Sequence, residues 1–418
     1  MIQVLLLLFL LDNDGWYYNM ATIINADTSN GLELTSDTSG EIELQSAGVT
    51  KAKVTANGLQ DANGNPLHGG SYRNLIINGD MNIAQRGTSL TGMTNSGGTS
   101  YQTVDRFMFG GSGSPFGTWT QSQDTDVPTG QGFANSFKMQ CTTSSTDDGQ
   151  LLFQQRIEGQ NLQYIKKGTS NAESLTLSFW VKSNKTGTYI AELKDNDNTR
   201  QISYAYTIDS SDTWEKKTIT FAGDTTGTFD NDNGRSLDAV FYLKASIALS
   251  SGTLNTSWNS TVNANRAVGQ VNLADSTSNY INITGVQLEV GEGASDFEHL
   301  PYDVQLQRCQ RYYNRFGYPF QTPSTGRRIG AGQVPATTVG IVCVPTPTTM
   351  RAEPSFDWSN LSLNDVTTNQ TITSISTSYQ THGCVTANYN VASGLTRDQP
   401  CNLRFSSTSA YLAFISEL

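Results

Sequence analysis

Between about residues 101 and 298 the chain repeats one local pattern: an apolar residue at every second position, closed by Gly, Asn, Asp or Ser. Phe137, Met139 and Cys141 alternate with Ser136, Lys138 and Gln140. Leu175, Leu177, Phe179 and Val181 alternate with Thr176, Ser178, Trp180 and Lys182. Ile202/Tyr204/Tyr206/Ile208, Ile219/Phe221 and Phe241/Leu243/Ala245/Ile247 repeat the period. A period of two sends one side of each run to a core and the other to water, as in antiparallel strands. Every apolar face must be covered, so the expectation is two sheets packed face to face, a sandwich or jelly roll. The apolar phase then slips from Ile281/Ile283 to Val286/Leu288/Val290, with Gly285 at the break. A slip at a glycine predicts a β-bulge.

The flanks differ in character. Ile2 to Leu11 is apolar but too short for a bilayer, which needs about 20 residues. It lacks a basic start and a small-residue cleavage site, so no membrane insertion or secretion signal is expected. The polar repeats begin at Met20, and residues 1–19 are read as a start-site extension or a disordered segment. Over residues 20–70, Leu32/Leu34 and then Ile42/Leu44 mark short alternating strands, with a weaker copy at Thr50-Lys-Ala-Lys-Val. Two apolar residues per strand cannot build a core in one chain. The alternatives are a linker and a β-repeat stalk in which several chains pool their apolar rows; the trimeric stalk is the expectation. Residues 71–300 then hold a loop-rich stretch and the sandwich. A connector helix is expected over 301–317, from Pro301 to the stop at Gly317. Its stripe of Leu306, Cys309, Tyr313 and Phe316 is expected to pack on symmetry mates. Residues 318–418 return to short strands and make a small C-terminal β domain.

Composition agrees with a mainly β protein: only 15% of residues are charged and 36% hydrophobic, with Thr, Asn, Ser and Gly in their place. The net charge of −11 argues against nucleic acid as a partner, since phosphate binding needs clustered cations. The pairs Lys166-Lys167, Lys216-Lys217 and Arg327-Arg328 read as solvated charges. Five cysteines show no metal spacing, and Cys141, Cys343 and Cys384 read as reduced thiols in strand contexts.

Several strings resemble tail-fibre-type proteins of bacteriophages. The most specific runs from Ile283-Thr-Gly-Val-Gln-Leu-Glu-Val-Gly-Glu through Asp296-Phe-Glu-His-Leu-Pro-Tyr to Cys309-Gln-Arg-Tyr-Tyr-Asn-Arg-Phe. Others are Asn74-Leu-Ile-Ile-Asn-Gly-Asp-Met-Asn-Ile-Ala-Gln-Arg-Gly, Val104-Asp-Arg-Phe, Leu177-Ser-Phe-Trp-Val-Lys-Ser and Trp214-Glu-Lys-Lys-Thr-Ile-Thr-Phe. The resemblance covers most of residues 20–316. It implies a jelly roll like a carbohydrate-binding module and a homotrimer. It also implies attachment by the N-terminus to a phage tail, baseplate or adaptor protein, and a host-surface glycan or receptor as partner. The location it implies is the virion surface.

Chemistry-bearing motifs are sparse. His68, His299 and His382 lie in separate segments, and no nucleophile, P-loop or zinc pattern accompanies them. The clusters Asp195-Asn-Asp-Asn and Asp230-Asn-Asp-Asn-Gly fail as EF-hand loops and suit turns. A loop calcium ion is compatible with them, and no other cofactor is expected. Sugar binding needs aromatic faces with a few polar groups beside them. Trp180 sits in the polar phase of its strand, and Trp214 and Tyr242 share a phase with Lys216/Thr218 and Lys244/Ser246. All three are candidates for a carbohydrate platform; the phase leaves open whether a loop or second sheet buries them. Leu32, Leu34, Ile42, Leu44, Leu306 and Tyr313 are candidates for the trimer interface. The class expected is an adhesive, non-catalytic fibre subunit. A polysaccharide depolymerase and a capsid decoration fibre without a receptor role are the alternatives.

Overall fold

The computed structural model describes residues 42–46, 49–55, 58–61, 73–94, 100–113 and 116–418. Leu32, Leu34, Met20 and His68 lie outside them. The chain forms two units, one ending at Ala62 and one from Asn63 to Leu418.

In the first unit, Ile42–Ser46, Val49–Thr55 and Gly58–Asp61 form an antiparallel three-stranded meander. Ile42 lies opposite Val54 and Val54 opposite Leu59, so one row of apolar side chains crosses the sheet. Ile42 and Leu44 are 40% and 44% exposed. Alternation was legible here, and this unit alone does not bury its apolar row.

The second unit contains the expected sandwich. A six-stranded sheet runs in the order Glu215–Phe221, Leu175–Ser183, Tyr280–Val290, Ser136–Thr143, Thr118–Asp124, Ser89–Met93. It faces a seven-stranded sheet that includes Arg200–Ile208, Gly187–Asp195, Arg235–Lys244 and Gln150–Glu158. The core between them is aromatic. Phe153 stacks on Phe241 at 4.8 Å, and Phe179 meets Phe241 edge-on at 5.2 Å. Offset and edge-to-face rings of this kind fill a sandwich at high density. The predicted bulge is present: Ser178 pairs with Gln287 but Trp180 with Thr284, so one extra residue is inserted beside Gly285. Gly285 has φ +62°.

Local pattern misled in three places. Phe241/Leu243/Ala245/Ile247 was read as one strand, but the strand ends at Lys244, and Ile247–Ser250 is a helical turn. The connector helix spans Tyr302–Gln310 only. Tyr313–Gly317 is instead a strand paired with Tyr411–Ile415, where aromatic residues find cross-strand neighbours that a helix would not give them. The loop-rich stretch after residue 73 is a buried spine: Asn74 Oδ1 accepts from the amides of Ile76 (2.9 Å) and Leu288 (3.0 Å).

Within the chain, both Leu306 and Tyr313 already have neighbours to pack on. Leu306 packs on Ile77, Ile83, Cys309 and Tyr312 of its own chain. Tyr313 is buried beneath the Arg86 guanidinium, 3.5 Å from its ring centroid. The helix end is tied to the sandwich by Arg311, which donates to both oxygens of Glu158 at 2.8 and 2.7 Å. Burial by itself would raise the Glu158 carboxyl, but the Arg311 and Tyr312 hydrogen bonds hold it below its usual range.

Beyond the helix, six strands close into a barrel in the order Arg328–Ala336, Val339–Pro345, Cys384–Val391, Asn369–Thr381, Leu361–Asn364, Pro400–Phe405. Val342, Val344, Leu363, Val385, Tyr389 and Leu403 fill it. Cys343 and Cys384, read from sequence as reduced thiols, form a disulfide between adjacent strands with Cα atoms 6.2 Å apart. Cross-strand neighbours far apart in sequence cannot be paired from spacing alone.

Candidate functional site

The outward face of the six-stranded sheet is polar by construction. Phe179 and Val181 point into the core, so Ser178, Trp180 and Lys182 point out. Trp180 lies directly opposite Lys216 on the neighbouring strand. Two loops rise over this face. One carries Gln131 and Phe133; the other carries Asp296, Phe297 and His299. Phe133 meets Phe297 at 5.1 Å and His299 at 5.3 Å, and Phe297 meets His299 at 4.9 Å. The bulge makes room for this cluster. A Cβ on Gly285 would stand 2.6 Å from the Phe133 ring, so only glycine lets the ring settle there.

Sheet and loops enclose an open depression of about 300 Å3, lined by Trp180, Lys216, Phe133, Phe297, His299 and Gln131, among others. Its polar ends are unspent. Among the described residues, no side-chain hydrogen bond or ion pair engages the Trp180 indole N–H, the Lys216 ammonium, the Gln131 amide or the His299 ring. In a larger cleft of about 620 Å3 beside the connector helix, several of the lining polar groups are already taken. There Gln155 is bonded twice to the Ile77 backbone, Gln160 to Glu158 and Arg311 to Glu158. Polar groups already paired inside the fold gain little from a ligand.

Of the residues singled out from sequence, Trp180 is in the depression. Trp214 lies on the same sheet face outside it, half-buried, its indole N–H donating to Asp126 at 3.0 Å beside Lys182. Nearby, the Tyr280 phenol donates to Asp212 at 2.6 Å, and this bond is the first cause holding the Asp212 carboxyl below its usual range. Tyr242 is elsewhere and is not a platform. It is 0% exposed, because the excursion carrying Leu249 and Ala267 covers the outer face of the seven-stranded sheet. Its hydroxyl donates to Glu192 at 2.7 Å, and Glu192 is held in turn by Arg266. Burial pushes the Tyr242 phenol well above its ordinary range.

Phe133, Phe297 and Gln131 carry no mark in the sequence, and His299 stands there without a motif. They sit in loops, where no periodicity marks them. Gly285 was the one local signal, since a bulge next to a strand's polar phase re-aims what lies above it. The acidic clusters have structural tasks: Lys167 pairs with Asp195 at 2.7 Å and with Asp224 at 3.1 Å. Asp232 accepts from the Gly234 amide. Among the described residues, no group of three or more His, Cys, Asp or Glu side chains converges as a metal site would require.

No protein-family model matches this chain. No curated protein matches it. Among solved structures, it is similar to the enzymatically active domain of bacteriophage CBA120 tailspike protein 4, at 15% identity and a TM-score of 0.27. That match covers 52% of this chain and 22% of the other, so the chain spans about a fifth of the tailspike's length. It is also similar to TmCBM61 in complex with β-1,4-galactotriose, at 9% identity, covering 52% and 99%, with a TM-score of 0.27. A family 11 carbohydrate-binding module from Clostridium thermocellum, bound to a mixed-linked tetrasaccharide, matches at 13% identity over 50% and 98%, with a TM-score of 0.24. The jelly-roll-like sandwich stands on its own strand order.

Proposed function

We propose that this protein is a structural and adhesive subunit of a bacteriophage surface fibre, and that its sandwich holds a host-surface glycan in the Trp180 depression. One observation carries the reading. An indole, two phenyl rings and an imidazole border an open hollow whose amide, ammonium and indole N–H groups are not used by the fold. Pyranose rings offer apolar faces for stacking and hydroxyls for such donors, so the hollow suits a saccharide better than a purely apolar ligand. The fibre assignment is supported by the sequence strings given above. The exposed row of Ile42, Val54 and Leu59 suits burial against further copies of the chain. Homotrimerisation would give weak sites avidity. Binding without bond cleavage is part of the reading.

Trp180→Ala is expected to weaken binding to the best ligand of an oligosaccharide array by roughly tenfold, about 1.4 kcal/mol, with an unchanged thermal midpoint. Unchanged affinity would remove the depression from the proposal. Reducing-sugar release by the wild type would replace adhesion by depolymerisation, and a monomer mass in light scattering would remove the trimer.

A further inference from the structure

The C-terminal barrel carries a cationic wall that neither the fold nor the glycan hollow uses. Arg328 lies directly opposite Arg404, Arg404 opposite Ser362, and Ser362 opposite Thr371, a row of side chains across four neighbouring strands. Leu403, Phe405, Leu361 and Leu363 point into the barrel, so this row points out. Two residues along each strand the outward positions are Asn402, Asn364 and Asn369, again in register. The outer wall is thus a grid of guanidinium, hydroxyl and amide groups with no carboxylate in it.

Like charges placed directly opposite on antiparallel strands destabilise a sheet, and an acid usually relieves them. Here none does. The barrel's ion pair joins Arg397 to Asp398, and among the described residues none involves Arg327, Arg328 or Arg404. The Arg404 Nε is buried and has no hydrogen-bond partner. Arg328 and Arg327 also line a hollow of about 230 Å3 floored by Phe316, Ile329, Pro323 and Phe405. In a chain of net charge −11, two guanidinium groups opposite each other, with Arg327 next to one of them in the chain, are a local reversal of sign.

The geometry points to an anionic saccharide as the ligand of this wall: a carboxylate, sulfate or phosphate substituent sits between Arg328 and Arg404, and sugar hydroxyls meet Thr371 and Asn402, whereas Ser362 is buried between them. Guanidinium groups bind such oxyanions through paired N–H donors. Asn402 and Thr371 add hydrogen bonds that a bare ion would not use. The site is separate from the Trp180 hollow and does not depend on it.

The test uses the intact protein and three polymers in surface plasmon resonance: dextran sulfate, polygalacturonate and neutral dextran. Dextran sulfate or polygalacturonate is expected to bind at least tenfold more tightly than dextran, more weakly as salt rises. Arg328→Gln and Arg404→Gln should each lower that affinity about fivefold or more. Arg397→Gln, which changes an arginine outside the wall, and Trp180→Ala should leave it unchanged. Equal binding of charged and neutral polymers would overturn the inference, as would an Arg397→Gln loss matching the other two. Arg328 is solvent-exposed, so its variant folds and decides the matter if Arg404→Gln does not.

Discussion

Trp180 and Tyr242 occupy equivalent phases of their strands, yet one faces solvent in a hollow and the other is sealed. The energetic consequences separate them. Removing the Tyr242 ring leaves a cavity beside Ile190, Val240 and Leu249 and strips a hydrogen bond from the buried Glu192–Arg266 pair. Tyr242→Ala should cost about 3–5 kcal/mol of stability, read as a lower urea midpoint, with glycan affinity of the folded protein unchanged. A drop in affinity at constant stability would restore Tyr242 to a binding role. At this scale the sequence legibly marked which side chains leave their own strand's core face. It could not mark which of those a distant excursion would cover.

Among elements, the bulged strand Tyr280–Val290 does most to shape the candidate site. The slip at Gly285 was readable because apolar phase is a strictly local property of a strand. What the bulge accommodates was not, since Phe133 arrives from another loop. Gly285→Ala puts a methyl group against that ring and a side chain in the left-handed region. It should destabilise the protein by about 1–2 kcal/mol and lower glycan affinity by displacing Phe133. Wild-type affinity in that variant would separate the aromatic cluster from binding. The connector helix shows the converse: Pro301 and helical spacing located its start, but pairing with Tyr411–Ile415 decided where helix gives way to strand.

In the unit from Asn63 to Leu418, sandwich and barrel are joined by a buried electrostatic knot. Glu417 pairs with Arg86 at 2.9 Å and with Arg106, and Arg106 lies 3.5 Å over the Tyr312 ring. Asp105, fully enclosed, accepts hydrogen bonds from Gln85, which also donates to the Tyr313 carbonyl at 2.6 Å. Burial pushes the Asp105 carboxyl up to about 7, against the pull of Arg86 and the Gln85 bond and with a small push from Glu417. A carboxyl raised on folding keeps its proton in the native state while the unfolded chain ionises. The contribution of Asp105 to stability is then full below about pH 4 and is lost as pH rises to about 7, by roughly 4 kcal/mol at most. Asp105→Asn should flatten that part of the pH–stability curve in urea titrations; a variant with the wild-type slope would show that Asp105 is not its source.

Sequence by itself determined the mainly β architecture, the sandwich strands and their core faces, the bulge and the start of the connector helix. Each follows from periodicities of a few residues, which a chain carries wherever it folds. Tertiary structure decided that Trp180 is open and Tyr242 closed, that Leu306 and Tyr313 serve their own chain, and that Cys343 meets Cys384. It also brought Phe133 to His299 and Arg328 to Arg404. These outcomes depend on which distant segments come to share a surface, and no short stretch of residues encodes that.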